Sequence, residues 1–179
     1  IQVSNPGEPI LGMQQAHVFS SHDVLLDDRL TSGARTALVI DESGHYEAVA
    51  VTEALQLRGI SVTFVTSYIS FAPKMDSALM NEPALQRIAR RGNFMFHART
   101  RVISIEKGFS TIGPTYLNAQ ECQMIPSDIV IFISPNRPNR DLYQVLTSRG
   151  MRVQVVGDAN SPRNLLNALR EGHVAGANL

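Results

Sequence analysis

The chain has little of what usually gives a function away. It has one cysteine, Cys122, in 179 residues. That excludes an internal disulfide or an all-cysteine metal cluster within one chain, and fits a reducing, cytoplasmic location. Charge of one sign is also missing: sixteen Lys and Arg balance sixteen Asp and Glu. There is thus no electrostatic case for nucleic acid or an anionic membrane surface as a partner. No apolar run approaches the ~20 residues of a membrane span, and residues 1–12 lack the charged start and apolar centre of a signal peptide. No Ser-His-Asp pattern, metal-spaced histidine set or internal repeat is visible. The chain opens on Ile1 with no element start before residue 20, and we read it as a piece of something longer.

What is present is a globular composition, with 44% hydrophobic and 18% charged residues, and a periodicity that alternates between 2 and 3.6. Residues 1–33 read as a linker with a short helix near 21–26 that Ser20 or Ser21 can cap. Residues 36–40 form an apolar strand. Ala48, Val51, Ala54 and Leu55 then recur at helical spacing, Gly59 stops that helix, and residues 61–66 alternate as the next strand. This is a βαβ unit. A second helix spans 83–91 with Leu85 and Ile88 inward, short strands lie at 94–97 and 99–106, and 109–126 suits a β-meander. Residues 129–134 are almost continuously apolar, the pattern of a central parallel strand. A helix at 140–149 and a strand at 152–156 follow. The expected fold class is α/β: a Rossmann-like parallel sheet flanked by helices, with a small β-meander.

Two turns carry the chemistry. In the first, a Rossmann phosphate loop would place three glycines after the first strand of the unit, for a tight turn and close approach of a pyrophosphate. Here Asp41, Ser43 and Tyr46 stand in those positions, with Glu42 beside them. Acids at a helix N-terminus favour the helix dipole and repel an incoming anion, so the chain can fill its own anion site. The acid expected to bind ribose at the end of the second strand is replaced by Thr66 and Ser67. Both departures argue against NAD(P)H. The second turn is Gly157-Asp158-Ala159, delivered by Val153, Val155 and Val156. Asn160 or Ser161 could cap the helix behind it, Pro162 suits its first turn, and Leu165, Leu166 and Leu169 form its apolar stripe. Asp158 there can accept hydroxyl hydrogen bonds from ribitol or ribose, or simply close an Asx turn. Ser43, Gly44 and His45 can touch a nucleotide or form a plain strand-to-helix turn. The arginines at 87, 90 and 91 lie on a surface helix and Cys122 has no histidine signal nearby, so neither is given a site role.

The run Val155-Val156-Gly157-Asp158-Ala159, followed by Pro162-Arg163, Ala168 and Gly172-His173, resembles the flavin-side closing motif of flavoproteins with two dinucleotide domains. Two further segments narrow the resemblance. Val39-Ile40-Asp41-Glu42-Ser43-Gly44-His45-Tyr46 is similar to a modified nucleotide loop, and Asn136-Arg137-Pro138-Asn139-Arg140-Asp141-Leu142-Tyr143 to an Arg-Pro-Asn…Leu-Tyr segment. Both look like those of the trimethylamine dehydrogenase and 2,4-dienoyl-CoA reductase group, in which an old-yellow-enzyme barrel is fused to two nucleotide-type domains. The resemblance implies a C-terminal fragment of a flavin-dependent oxidoreductase. Residues 1–33 would be the linker from the flavin-type domain, 34–134 the NAD(P)-type domain and 135–179 the return segment. It also implies FAD or ADP at the Gly157-Asp158 end in the intact protein, with FMN and an iron-sulfur cluster only in the absent part, and the upstream barrel as partner. By itself the chain is then expected to be inactive. The competing reading is a structural or docking domain that kept the fold and lost the ligand. A receiver-like domain is a third reading, but it needs a phosphoacceptor aspartate after its third strand, and none is identifiable.

Overall fold

The computed structural model describes residues 10–116 and 121–178, so the start of the expected linker and four residues of the expected meander lie outside it. The chain divides into two compact units, Ser4–Ser134 and a second that comprises Pro135–Leu179.

In the first unit, β1 (Val18–Ser20), β2 (Thr36–Asp41), β3 (Ser61–Thr66), β4 (Phe94–His97) and β8 (Ile129–Ile133) form a parallel sheet in the order β1-β8-β2-β3-β4. An antiparallel sheet of β5 (Thr100–Glu106), β6 (Gly108–Pro114) and β7 (Gln123–Ser127) is the meander. Alternation along the central strands explains why these runs are apolar throughout. Ala37 and Val39 of β2, Val62 and Phe64 of β3, and Ile129, Ile131 and Ile133 of β8 share one core. The helices α2 (Tyr46–Leu57) and α3 (Asn81–Arg91) cover it with Ala48, Val51, Leu55, Ala84 and Ile88. Leu38, Ile40, Val65, Val130 and Phe132 point the other way, onto Val102, Ile105, Ile112 and Ile125 of the meander. Strands covered on both faces have no polar side to display, which is the signature of a buried parallel sheet. Phe64, Phe71, Phe94 and Phe96 meet with ring centroids 5.0 to 6.3 Å apart.

Local signals set the ends of these elements. Helix α1 (Ser21–Leu26) starts on a capping box, in which the Ser20 hydroxyl accepts from the Asp23 N–H and the Asp23 carboxylate accepts from the Ser20 N–H. Helix α3 starts two residues ahead of Pro83, which therefore lies in the first turn, where its missing N–H leaves no bond unmade. Within the expected linker, β1 pairs with β8 and places α1 beside α2.

In the second unit, α4 (Asp141–Ser148), a 3₁₀ turn (Gly157–Ala159) and α5 (Leu165–Ala177) are the regular elements among the described residues. The strand expected at 152–156 is not formed: these residues pair with no described neighbour, and an extended segment becomes a strand only in a ladder. The helix cap is corrected as well. Asn164, not Asn160 or Ser161, caps α5, its carboxamide oxygen accepting from the Asn167 N–H at 3.0 Å. Asn160 and Ser161 instead donate their N–H groups to the Gly157 carbonyl and close the preceding turn, so Pro162 stands before the helix and outside its first turn. None of the described residues of this unit is buried.

Candidate functional site

The carboxyl ends of β2, β3, β4 and β8 share one edge of the parallel sheet, the edge at which open α/β sheets bind ligands. The β2–α2 turn emerges there. Asp41, the last residue of β2, is fully buried, and its Oδ1 accepts from three donors: the Ser43 N–H at 2.9 Å, the Ser43 hydroxyl at 2.9 Å and the Gly44 N–H at 2.8 Å. Its Oδ2 is buried without a partner. Burial pushes the Asp41 carboxyl above its ordinary value, against the lowering effect of these hydrogen bonds and of Lys74. Glu42 turns the other way. Its carboxylate accepts from the Ser67 hydroxyl at 2.7 Å, and burial together with the neighbouring Asp41 raises it too.

The rest of the turn is packed shut. Gly44 has φ +67°, and a Cβ there would stand 3.0 Å from Cε2 of Tyr68 and 3.3 Å from the Pro73 ring. The segment that carries Tyr68 and Pro73 is tied down by bonds from the Tyr68 hydroxyl to the Glu42 carbonyl and from the Lys74 N–H to the Gly44 carbonyl. His45 is the N-cap of α2, its Nδ1 accepting from the Tyr46 N–H at 2.9 Å. Thr66, where a ribose-binding acid would stand, donates its hydroxyl to the Asp41 carbonyl at 2.8 Å. The structure therefore brings Ser43, Gly44 and His45 together in one turn, but as partners of the chain itself. A dinucleotide pyrophosphate does not fit this turn, because its donors are taken, two carboxyl groups adjoin the position, and Tyr68 and Pro73 close over it.

Gly157, Asp158 and Ala159 form the 3₁₀ turn of the second unit. The Gly157 N–H donates to Glu171 of α5 at 2.8 Å, and Glu171 also pairs with Arg163. Arg140 donates to the Ala159 and Asn160 carbonyls at 3.3 and 2.8 Å. Asp158 is exposed. A cavity of about 320 Å³ lies alongside, lined by Val155, Val156, Asn160, Arg170, Glu171 and Val174. A hydroxyl-rich ligand such as a ribitol or ribose fits the chemistry of Asp158, while the Gly157 N–H of this turn is held by Glu171.

Sequence reasoning found the acids and the missing glycines but not Tyr68, Pro73 or Glu171. Tyr68 and Pro73 act across 24 or more positions of the chain, with no local pattern to announce them. Elsewhere, Arg87 pairs with Glu53 at 3.0 Å on the helical surface, and Cys122 is exposed. His97 ends β4 with its titration lowered by burial. A polar cavity of about 240 Å³ past β4, lined in part by His97, Arg99, Thr100 and Gln123, takes no residue from the β2–α2 turn. Among the described residues, no group of three or more His, Cys, Asp or Glu is placed to hold a metal.

No protein-family model and no curated protein matches the chain. Solved structures do. An amine oxidase for 6-hydroxypseudooxynicotine from Pseudomonas geniculata N1 superimposes with a TM-score of 0.87 at 23% identity, over 96% of this chain and 26% of that one. Histamine dehydrogenase from Rhizobium sp. 4-9 gives 0.83 at 20% identity, over 96% and 27% of the two chains. A 2-naphthoyl-CoA reductase gives 0.76 at 17% identity, over 98% and 26%. This chain thus spans about a quarter of each of these proteins. With them it shares its Rossmann-like α/β fold.

Proposed function

We propose that this chain is the C-terminal nucleotide-domain portion of a larger flavin-dependent oxidoreductase of the trimethylamine dehydrogenase and 2,4-dienoyl-CoA reductase type. Residues 34–134 serve in it as a structural Rossmann-like module and not as a nicotinamide site. The observation that carries this reading is the uncovered apolar face of the second unit. Leu165, Leu166 and Leu169 of α5 are 73%, 74% and 63% exposed, with Leu142, Val145 and Met151 also open. A run of leucines at helical spacing is an inward face, and contiguous apolar surface of this kind marks a contact with further protein. The three oxidoreductases of which the chain matches about a quarter support the same conclusion.

In that parent, residues 1–33 are the connection from the flavin-type domain and 135–179 the return segment to it. The catalytic flavin lies on the upstream barrel, and the setting is cytoplasmic. The exposed Asp158 carboxylate is the acceptor for a ribityl or ribose hydroxyl of FAD or ADP, with Gly157 and Ala159 shaping the turn beneath it. A bound flavin would supply the redox chemistry; this chain contributes orientation of the nucleotide and a docking surface.

The test is to purify the complete polypeptide encoded by the gene and record its absorbance. A flavin spectrum on a chain several times the present length is expected; a colourless polypeptide no longer than this one sinks the reading. A thermal-shift titration of the present chain with NADH and NADPH tests the structural role of 34–134. A ligand at a hundred times its dissociation constant adds about 2.7 kcal/mol to stability, an easily seen shift. No shift is expected, and saturable stabilisation refutes it.

A further inference from the structure

We propose that the polar cavity past β4 binds a small zwitterion of α-amino-acid type, whose carboxylate meets Arg99 and whose ammonium meets Glu121. The cavity shares no residue with the β2–α2 turn or with the Gly157 turn, so the inference stands apart from the nucleotide role.

The end of the parallel sheet meets the meander at this cavity. β4 ends on His97, the connection through Ala98 and Arg99 leads into β5 at Thr100, Tyr116 follows β6, and Glu121 and Gln123 lie at the start of β7. The volume of about 240 Å³ is below the ~300–1,000 Å³ usual for drug-sized ligands and suits a smaller molecule. The lining holds one charge of each sign. Arg99 and Glu121 are both exposed, and among the described residues neither forms an ion pair, with the other or with any further group. His97 adds no third charge at neutral pH, because burial lowers its titration. Thr100, Tyr116 and Gln123 are neutral hydrogen-bonding groups. A free anion drawn to Arg99 would also meet Glu121, and a free cation the reverse; a molecule that carries both charges satisfies the two at once. The Nε2 of His97 is buried without a partner, a desolvation cost that a hydrogen-bonding group in the cavity can offset.

The backbone fixes Arg99 for this contact. Its φ of +48° lies in the left-handed region, which Gly or Asn adopts at less cost. Two hydrogen bonds hold it there, from its own N–H to the Tyr68 carbonyl at 2.9 Å and from the Thr115 N–H to its carbonyl at 2.8 Å, and the Thr100 hydroxyl closes the bend by donating to the Ala98 carbonyl at 2.8 Å. A strained residue held by its surroundings is a mark of a ligand site, and here it is the cation of the lining.

The experiment titrates the wild-type chain, Arg99→Gln and Glu121→Gln with glycine, sodium acetate and methylammonium chloride through the millimolar range at equal ionic strength. The His97 imidazole and Thr100 amide resonances are the readouts. Glycine should shift both saturably in the wild type, with acetate and methylammonium about tenfold weaker or more, since each leaves one charge of the cavity unmet. Both variants should lose the glycine response yet keep the wild-type unfolding midpoint, because both side chains are exposed. An acetate response equal to that of glycine overturns the proposal in favour of a plain anion site. The absence of any glycine response in the wild type overturns it as well, as does a response that either variant retains. If one variant does not fold, the other decides by the same criterion.

Discussion

Gly44→Ala and Gly59→Ala form a pair that measures how firmly the β2–α2 turn is closed. Both glycines lie in the first unit and both have positive φ, +67° and +77°. An alanine forced into that region costs about 1–2 kcal/mol from its own backbone. At Gly59 nothing stands within 4 Å of the new methyl, so that strain is the whole expected cost. At Gly44 the methyl meets Cε2 of Tyr68 at 3.0 Å and two carbons of Pro73 at 3.3 Å. Neither neighbour gives way freely. The Tyr68 hydroxyl is bonded to the Glu42 carbonyl, and Pro73 is a rigid ring beside the Lys74 N–H that donates to Gly44. Overpacking of this kind adds about 1–3 kcal/mol, so Gly44→Ala should cost roughly 2–5 kcal/mol in total. Urea unfolding followed by far-ultraviolet circular dichroism suits a chain without tryptophan, and parallel slopes would license the comparison. The informative quantity is the difference between the two variants. If they lose the same stability to within about 0.5 kcal/mol, Tyr68 and Pro73 do not press on the turn and the argument for a closed site fails.

Phe64→Ala removes the fully buried ring at the centre of the aromatic group and should cost about 3–5 kcal/mol in the same urea experiment; a loss below about 1 kcal/mol would mean the group is not packed as described. The carboxyls of Asp23, bonded by the backbone and hydroxyl of Ser20, and of Asp128, bonded by the Arg35 and Thr36 backbone, are held below their ordinary 3.8. Their stabilisation is therefore present above pH 3.8 and lost as pH falls through the depressed folded values, and carboxyl carbon titration midpoints at or above 3.8 would contradict it. Asp41 and Glu42 carry the opposite sign. Burial raises both, so their contribution is present below 3.8 and 4.5 and is lost as pH rises through the higher folded values. Asp41→Asn should flatten that part of the stability–pH curve, and an unchanged curve would count against the burial of this acid. Leu166→Ser should leave the stability of this chain within about 0.5 kcal/mol, since the side chain is 74% exposed; a larger loss in calorimetry would show that α5 is already covered here.

Strands β2, β3 and β8 and helices α2 and α3 were legible because their signals are local. Period 2 or unbroken apolar runs mark strands covered on both faces, and Ala48, Val51 and Leu55 or Leu85 and Ile88 mark one face of a helix. The capping box at Ser20 and Asp23 is equally short-range. Strand β1 is three residues long and owes its existence to β8, so no pattern of its own could announce it. The reverse error at 152–156 has the same cause, since valines favour a strand only where a neighbouring strand receives them.

The residues of the β2–α2 turn divide along the same line. Composition and spacing determined that acids replace the glycines of a phosphate loop, and that Thr66 and Ser67 replace the ribose-binding acid; chemical type is a property of the sequence alone. Whether those acids repel a ligand from the surface or take its place inside was decided by tertiary structure. Only the folded chain turns Asp41 inward onto the Ser43 and Gly44 amides, turns Glu42 toward Ser67, and brings Tyr68 and Pro73 over Gly44. Hydrogen bonds and close contacts are fixed by distances of a few ångströms between groups far apart in the chain, and no local periodicity encodes them.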